Sequence, residues 1–156
     1  MIELARIAAL IAVLGTAVVY GTDVFCALVQ RPALAAVDDR VLVAVMGNVH
    51  RYGDRRMPLP GVVGMVAAAV SAVLAAVAGR WAQAIPAAIA LALLLIWLAV
   101  YLRISAPINR QLTAASDNHE VPSNARALQK SWDRVIDARA VIQGLAVASL
   151  CLSLMT

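Results

Sequence analysis

The residues of this chain that could do chemistry are few, and most of them interrupt apolar stretches where an ionisable group is costly. Asp23 separates the uncharged run 7–22 from the apolar run 24–29. Thr16, Tyr20, Asp23 and Gln30 stand at offsets 0, 4, 7 and 14, which places them on one helical face. Such a face is either the polar wall of an internal pocket or a packing stripe whose Asp23 meets a structural partner. Trp132, Asp133, Arg134, Asp137 and Arg139 open the last apolar stretch. Trp132, Ile136 and Arg139 share a face there, with Asp137 about 100° from Ile136. Arg139 is about 10 Å beyond Trp132 along the axis, a depth similar to that of Asp23 counted back from Arg31. Either charge buried alone in hydrocarbon would cost several kcal/mol, so the sequence predicts an ion pair between Asp23 and Arg139.

A third segment sends polar groups to the same region. Trp97 and Tyr101 are spaced i, i+4, and Arg103 follows. The pair either lines a site or belongs to an interfacial aromatic belt. Pro107 is expected to break the helix and to leave Asn109 at the same end as Asp23 and Arg139. Both histidines lie in the connections. His50 is a candidate general base, because an unperturbed imidazole titrates near neutrality. His119 stands beside Glu120 in a polar loop. Nothing in the histidine spacing requires a metal, and none is expected. Cys26 and Cys151 form no CxxC pair and lie at different depths, so no intramolecular disulfide is expected.

The elements that must position these residues follow from composition. Of 156 residues, 63% are hydrophobic and 14% charged, with mean hydropathy +0.84. Soluble domains are about half apolar and roughly a quarter charged. The composition excludes a disordered, collagen-like or disulfide-stapled chain and predicts an all-α, membrane-embedded four-helix bundle forming one domain. The spanning helices are expected at about 2–29, 60–79, 81–104 and 131–156. The first has a short charged flank and no clear small-x-small site, and is expected to be an uncleaved helix. Leu34, Val37, Val41, Val45 and Val49 recur at helical spacing and predict an additional surface or capping helix at about 33–52. A polar loop is expected at about 112–123, with Ser123 capping the helix that enters the fourth span. Gly61, Gly64, Ala68, Ser71, Ala75 and Gly79 form a small-residue stripe on the second helix, which suits close helix packing and permits a homo-oligomer.

The formal net charge is +4. Arg31, Arg40, Arg51, Arg55 and Arg56 lie in the first long connection, and Arg103, Arg110, Arg126, Lys130 and Arg134 in the second. Only Arg6 and Arg80 lie near the opposite side. The positive-inside rule then puts both connections, and the surface helix, in the cytoplasm and both termini outside. With the basic residues serving topology, nucleic acid is not an expected partner and the bilayer is. The excess of Arg over Lys and the Ala/Val bias are those of a high-GC bacterial genome, which makes the bacterial cytoplasmic membrane the expected location.

Three stretches carry a resemblance. They are a glycine-containing first helix ending at Val29-Gln30-Arg31-Pro32-Ala33-Leu34, the run Pro107-Ile108-Asn109, and Trp132 followed seven residues later by Arg139. In this order they resemble the anthrone-oxygenase-like family of small four-helix membrane proteins, much of which is of unknown function. The likeness covers nearly the whole chain through short motifs. It departs at Ile136, where the family often has His or Asn. The resemblance implies oxidation of a lipophilic aromatic or polyketide-like substrate by molecular oxygen without a dedicated cofactor, metal and haem being left open. In that scheme Asp137 or His50 is the base, and Arg139 and Asn109 stabilise the oxyanion. Trp132 stacks on the rings, and Tyr20, Asp23, Trp97 and Tyr101 complete the substrate pocket. Locking Arg139 against Asp23 competes with its oxyanion role. The alternative is a non-enzymatic accessory subunit or a binder of lipid or quinone. A transporter would require oligomerisation. Access to Asn109 and Arg139 separates an enzyme from a packed structural subunit.

Overall fold

The computed structural model describes residues 1–156, and every regular element is helical. The helices are α1 (Ile2–Phe25), α2 (Arg31–Ala35), α3 (Asp39–Arg56), α4 (Pro58–Val77), α5 (Trp81–Val100), α6 (Ala106–Asp117) and α7 (Ala125–Met155). α1 and α5 each pack against both α4 and α7, which closes a four-helix ring. The four long helical runs are apolar enough to cross a membrane. Their interior is built from small residues such as Ala5, Ala12, Ala68, Ala75, Ala87 and Ala90, whereas Leu4, Ile7, Leu14, Val66, Val73 and Ile89 stand exposed. Large apolar side chains outside and alanines inside suit a lipid exterior, where close backbone approach drives helix association.

Helix contact is closest between α1 and α4. A Cβ on Gly15 would lie 2.8 Å from the Pro60 carbonyl oxygen, and one on Gly64 would lie 2.8 Å from Thr16 Oγ1. The Ser71 hydroxyl donates to the Ala5 carbonyl at 2.9 Å and ties the same two helices further along. α4 ends in a Schellman turn: the Gly79 N–H donates to Ala76 and the Arg80 N–H to Ala75, with Gly79 at φ +70°. α7 buries Gln129, Trp132, Ile136, Arg139, Gln143, Ala146, Leu150 and Ser153. These alternate at spacings of three and four, so one seam runs the length of the helix.

Beyond the bundle, a second core forms at one end. Cys26, Leu34, Leu42, Met46, Leu112 and Ile136 are among its members, drawn from the segment Cys26–Gln30, α2, α3, α6 and the first half of α7. Gly47 lets α3 lie on α6, since a Cβ there would collide with Ser116. In place of one surface or capping helix over about 33–52, the chain has two helices there, α2 and α3. The chain turns at 36–38, because Asp38 adopts an extended conformation and its carboxylate caps α3 by accepting the Val41 N–H at 2.8 Å. Hydrogen bonds from Met57 N–H to Gly53 and from Gly61 N–H to Met57 then carry the helical path on into α4. α3 is thus the charged continuation of α4, packed on α6.

The polar loop is also shorter than expected. α6 runs to Asp117, and His119, at φ 56°, closes it with a second Schellman turn: its N–H donates to Ser116 and that of Glu120 to Ala115. The last helix starts at Ala125 after Asn124, so Ser123 does not cap it. Pro107 does not break the third helical run. The segment Tyr101–Ser105 winds one residue wider, the Ala106 N–H reaching back five residues to Tyr101. The same device spans Cys26–Gln30, where the Arg31 N–H reaches Cys26. Each π turn is followed two residues later by a proline, Pro32 or Pro107. The turn supplies the altered hydrogen bonding that a missing proline N–H requires.

Candidate functional site

The two π turns flank the one place where charge is buried. Arg139 on α7 donates to Asp23 Oδ1 at 2.6 Å and to Ser105 Oγ at 2.9 Å. Asp23 is 2% exposed and Arg139 is 5% exposed. The second carboxylate oxygen of Asp23 accepts the Trp97 indole N–H at 2.9 Å. The guanidinium carbon lies 5.4 Å from the Trp97 ring, 5.6 Å from Tyr101 and 5.5 Å from Trp132. A desolvated cation over three aromatic faces gains further from their quadrupoles. The expected Asp23–Arg139 pair is present, and it is held from four elements.

A second chain of hydrogen bonds runs beside the first. The Trp132 indole donates to Asn109 Oδ1 at 3.1 Å. Asn109 Nδ2 and the Tyr101 hydroxyl both donate to Asp54 Oδ1, each at 2.8 Å. Tyr101 stacks on Trp97 with ring centroids 5.6 Å apart and planes 8° from parallel. The hydroxyl of Tyr101 is therefore committed inside the bundle and is not part of an outer belt. His50 tilts against Trp132 at 5.7 Å and is 4% exposed, and its Nε2 has no partner. His50 lies in the charged α3, outside the uncharged stretch of α4. Burial pushes its pKa down to about 4; the Asp54 carboxylate opposes that shift and the Arg139 charge adds to it. The imidazole is neutral at pH 7.

These groups border a cavity of about 300 Å³. Trp97, Tyr101, Trp132, His50, Asp54 and Asn109 form its polar and aromatic side, and Asp23 and Arg139 also reach it. Val19, Met57, Val62, Met65 and Leu98 form the apolar side. A void of about 10 Å³ adjoins it and is lined by Thr16 and Gln143, so Thr16 faces this smaller space.

Two expected site residues lie elsewhere. Asp137 points outward, with its side chain 62% exposed, and pairs with Arg31 at 2.9 Å. Its position one residue past the Ile136 seam turns it away from the bundle. Tyr20 packs between α1 and α7, where a Cβ on Gly144 would meet its ring at 3.2 Å, and it does not line the cavity. Asp54 and Ser105 were not anticipated. Asp54 stands four residues after His50 and Ser105 four before Asn109, which is the only signal the sequence held for either. No three His, Cys, Asp or Glu side chains converge in a way that could hold a metal ion. Comparison of the chain with known protein families, with curated proteins and with solved structures finds no match.

Proposed function

We propose that this chain is a multi-pass membrane protein that takes a flat lipophilic aromatic molecule into the cavity and oxidises it with molecular oxygen, as an anthrone oxygenase does. The observation that carries this reading is a buried, unpartnered His50 Nε2 on a cavity walled by three aromatic rings. An anthrone has an acidic ring methylene. Loss of its proton gives a delocalised carbanion that can pass an electron to oxygen. In the net reaction the methylene loses two hydrogens and gains one oxygen atom, and the second oxygen atom leaves as water.

In this reading neutral His50 takes the proton, and Asp54, four residues on along α3, stabilises the imidazolium that forms. Trp132 offers its face to the substrate rings. Asn109 has both amide groups in use, on Trp132 and Asp54, so it positions the indole and the carboxylate. Arg139 is held by Asp23 and Ser105, with Nε unpartnered, and supplies a fixed positive field for the developing anion. The apolar walls keep the site dry. The distribution of Lys and Arg supports placing this end of the bundle on the cytoplasmic side of a bacterial membrane.

One observation favours a second reading. The hydrogen bonds of Arg139 and Asn109 are made within the protein, as suits a binder of quinones or lipids without turnover. Oxygen uptake by the purified protein with anthrone tests between them. Uptake above a protein-free control, with anthraquinone as product and loss in His50→Ala and Asn109→Ala, supports the oxygenase. Folded protein with no uptake, but with bound anthraquinone, moves the assignment to the binder.

A further inference from the structure

The cavity has a mouth, and the mouth is apolar. Among its lining residues the exposed ones are Val49, Pro58, Val62 and Leu102, with Val62 52% and Leu102 56% exposed. None carries a charge. Val62 and Pro58 belong to α4, Leu102 to the π turn between α5 and α6, and Val49 to α3, beyond Arg55 and Arg56. The opening therefore lies between these two helical runs and faces the same direction as their exposed valines and leucines, toward lipid. Arg55, Arg56 and Arg103 stand exposed next to it in sequence, yet none of them lines the cavity. They mark the level where the hydrocarbon ends, since arginines at helix ends place their charge at the interface. Among the polar groups that line the cavity, His50 and Asn109 are the most enclosed after Asp23, each 4% exposed.

We infer that the cavity opens sideways into the bilayer between α4 and the end of α5, and that it accepts ring molecules carrying an alkyl or prenyl tail. The ring lies against Trp132 with its reacting carbon toward His50, and the tail passes between Val62 and Leu102 into lipid. A cavity of about 300 Å³ is at the lower end of the size of ligand pockets, enough for a fused ring system and too small for a long tail as well. An open apolar mouth removes that limit, because the tail never leaves hydrocarbon. This rests on the cavity being a binding site, as proposed above, and adds the class of molecule and its route.

Tryptophan fluorescence gives the test. The three tryptophans are Trp81, Trp97 and Trp132, and only Trp97 and Trp132 line the cavity. In a Trp81→Phe background, in phosphatidylcholine vesicles, both remaining indoles report on the cavity. The probes are anthraquinone, anthraquinone bearing an octadecyl chain, and water-soluble anthraquinone sulfonate. The expected result is saturable quenching by the first two and none by the sulfonate. A Val62→Phe, Leu102→Phe double variant should weaken the tailed probe several-fold more than it weakens anthraquinone. Val73→Phe, at an exposed position deeper along α4, should change neither. Quenching by anthraquinone but not by the tailed probe, or an equal fold-loss of affinity for both in the double variant, overturns the lateral mouth while leaving the cavity a binding site. Absence of saturable quenching by any probe in folded protein overturns both.

Discussion

Replacing Arg139 with Met should be among the most damaging single changes in this protein, and the structure gives the size of the effect. Methionine keeps much of the volume between Trp97, Tyr101 and Trp132 but removes the cation. Asp23, 2% exposed, is left with the Trp97 indole as its remaining partner. Breaking a buried pair in this way costs about 3–5 kcal/mol. For a chain of this length each kcal/mol lowers the melting temperature by roughly 2–4 °C, so a fall of roughly 10 °C in detergent is expected. Asp23→Asn alone leaves the guanidinium uncompensated and should cost a similar amount. The double variant has no buried charge, and Asn can still accept from Trp97. It should therefore recover about 2 kcal/mol relative to the sum of the singles. Thermal unfolding of the four proteins, followed by near-UV circular dichroism, measures the coupling. Losses that add to within about 0.5 kcal/mol would refute the claim that the two charges are a unit.

Other expectations concern separate parts of the molecule. His50 is held neutral, with its pKa near 4 against 6.5 in an unfolded chain, so the unfolded state binds a proton first as pH falls. Stability should therefore drop between pH 6.5 and 4 by roughly 3 kcal/mol and level off below, and His50→Gln should remove that component of the pH profile. Gly64→Ala should lower stability by about 1–3 kcal/mol, because its Cβ meets Thr16 in the α1–α4 contact, whereas Gly21→Ala, with open space around it, should be tolerated. His119→Val should cost about 1 kcal/mol at its left-handed backbone position, and His119→Gly should not, as urea or thermal unfolding would show. In a Cys151→Ser background, impermeant maleimide should label Asp117→Cys and Arg80→Cys from opposite faces of the membrane. Labelling of both from one face would reject the four-span topology.

Much of the site was legible in the sequence because burying charge leaves few choices. Asp23 and Arg139 had to meet, and the seven-residue step from Trp132 to Arg139 put the indole above the guanidinium. The i, i+4 spacing of Trp97 and Tyr101 put them on one face and left open whether that face lined a site or an interfacial belt. Asp137 misled because it is a carboxylate beside the right seam, yet one residue turns a side chain by about 100° on a helix. Tyr20 misled for a related reason, since a single polar face on α1 is divided between two neighbours. Asp54 was hidden in a run of charged residues, Asp54, Arg55 and Arg56, that reads as a solvated end. The continuous path from α3 to α4 was hidden by Pro58 and Pro60, which suit the first turn of a helix as well as a break before it.

The two π turns have a consequence for how this chain could be shortened or spliced. Each holds one residue more than an α-helix would use over the same path, so each behaves as an insertion lodged within a helix. Along the α5 run the inward positions go 94, 97, 101, 105, 108 and 112, with two successive steps of four across the wide turn. Winding this segment as ordinary α-helix with every residue kept would rotate everything beyond it by about 100°. Ile108 and Leu112 would leave the outer core, and Asn109 would turn away from Trp132. A bundle rebuilt from uniform helices could reproduce the four spans and still lack the site, because the site depends on two lengths of chain that do not fit the helical repeat.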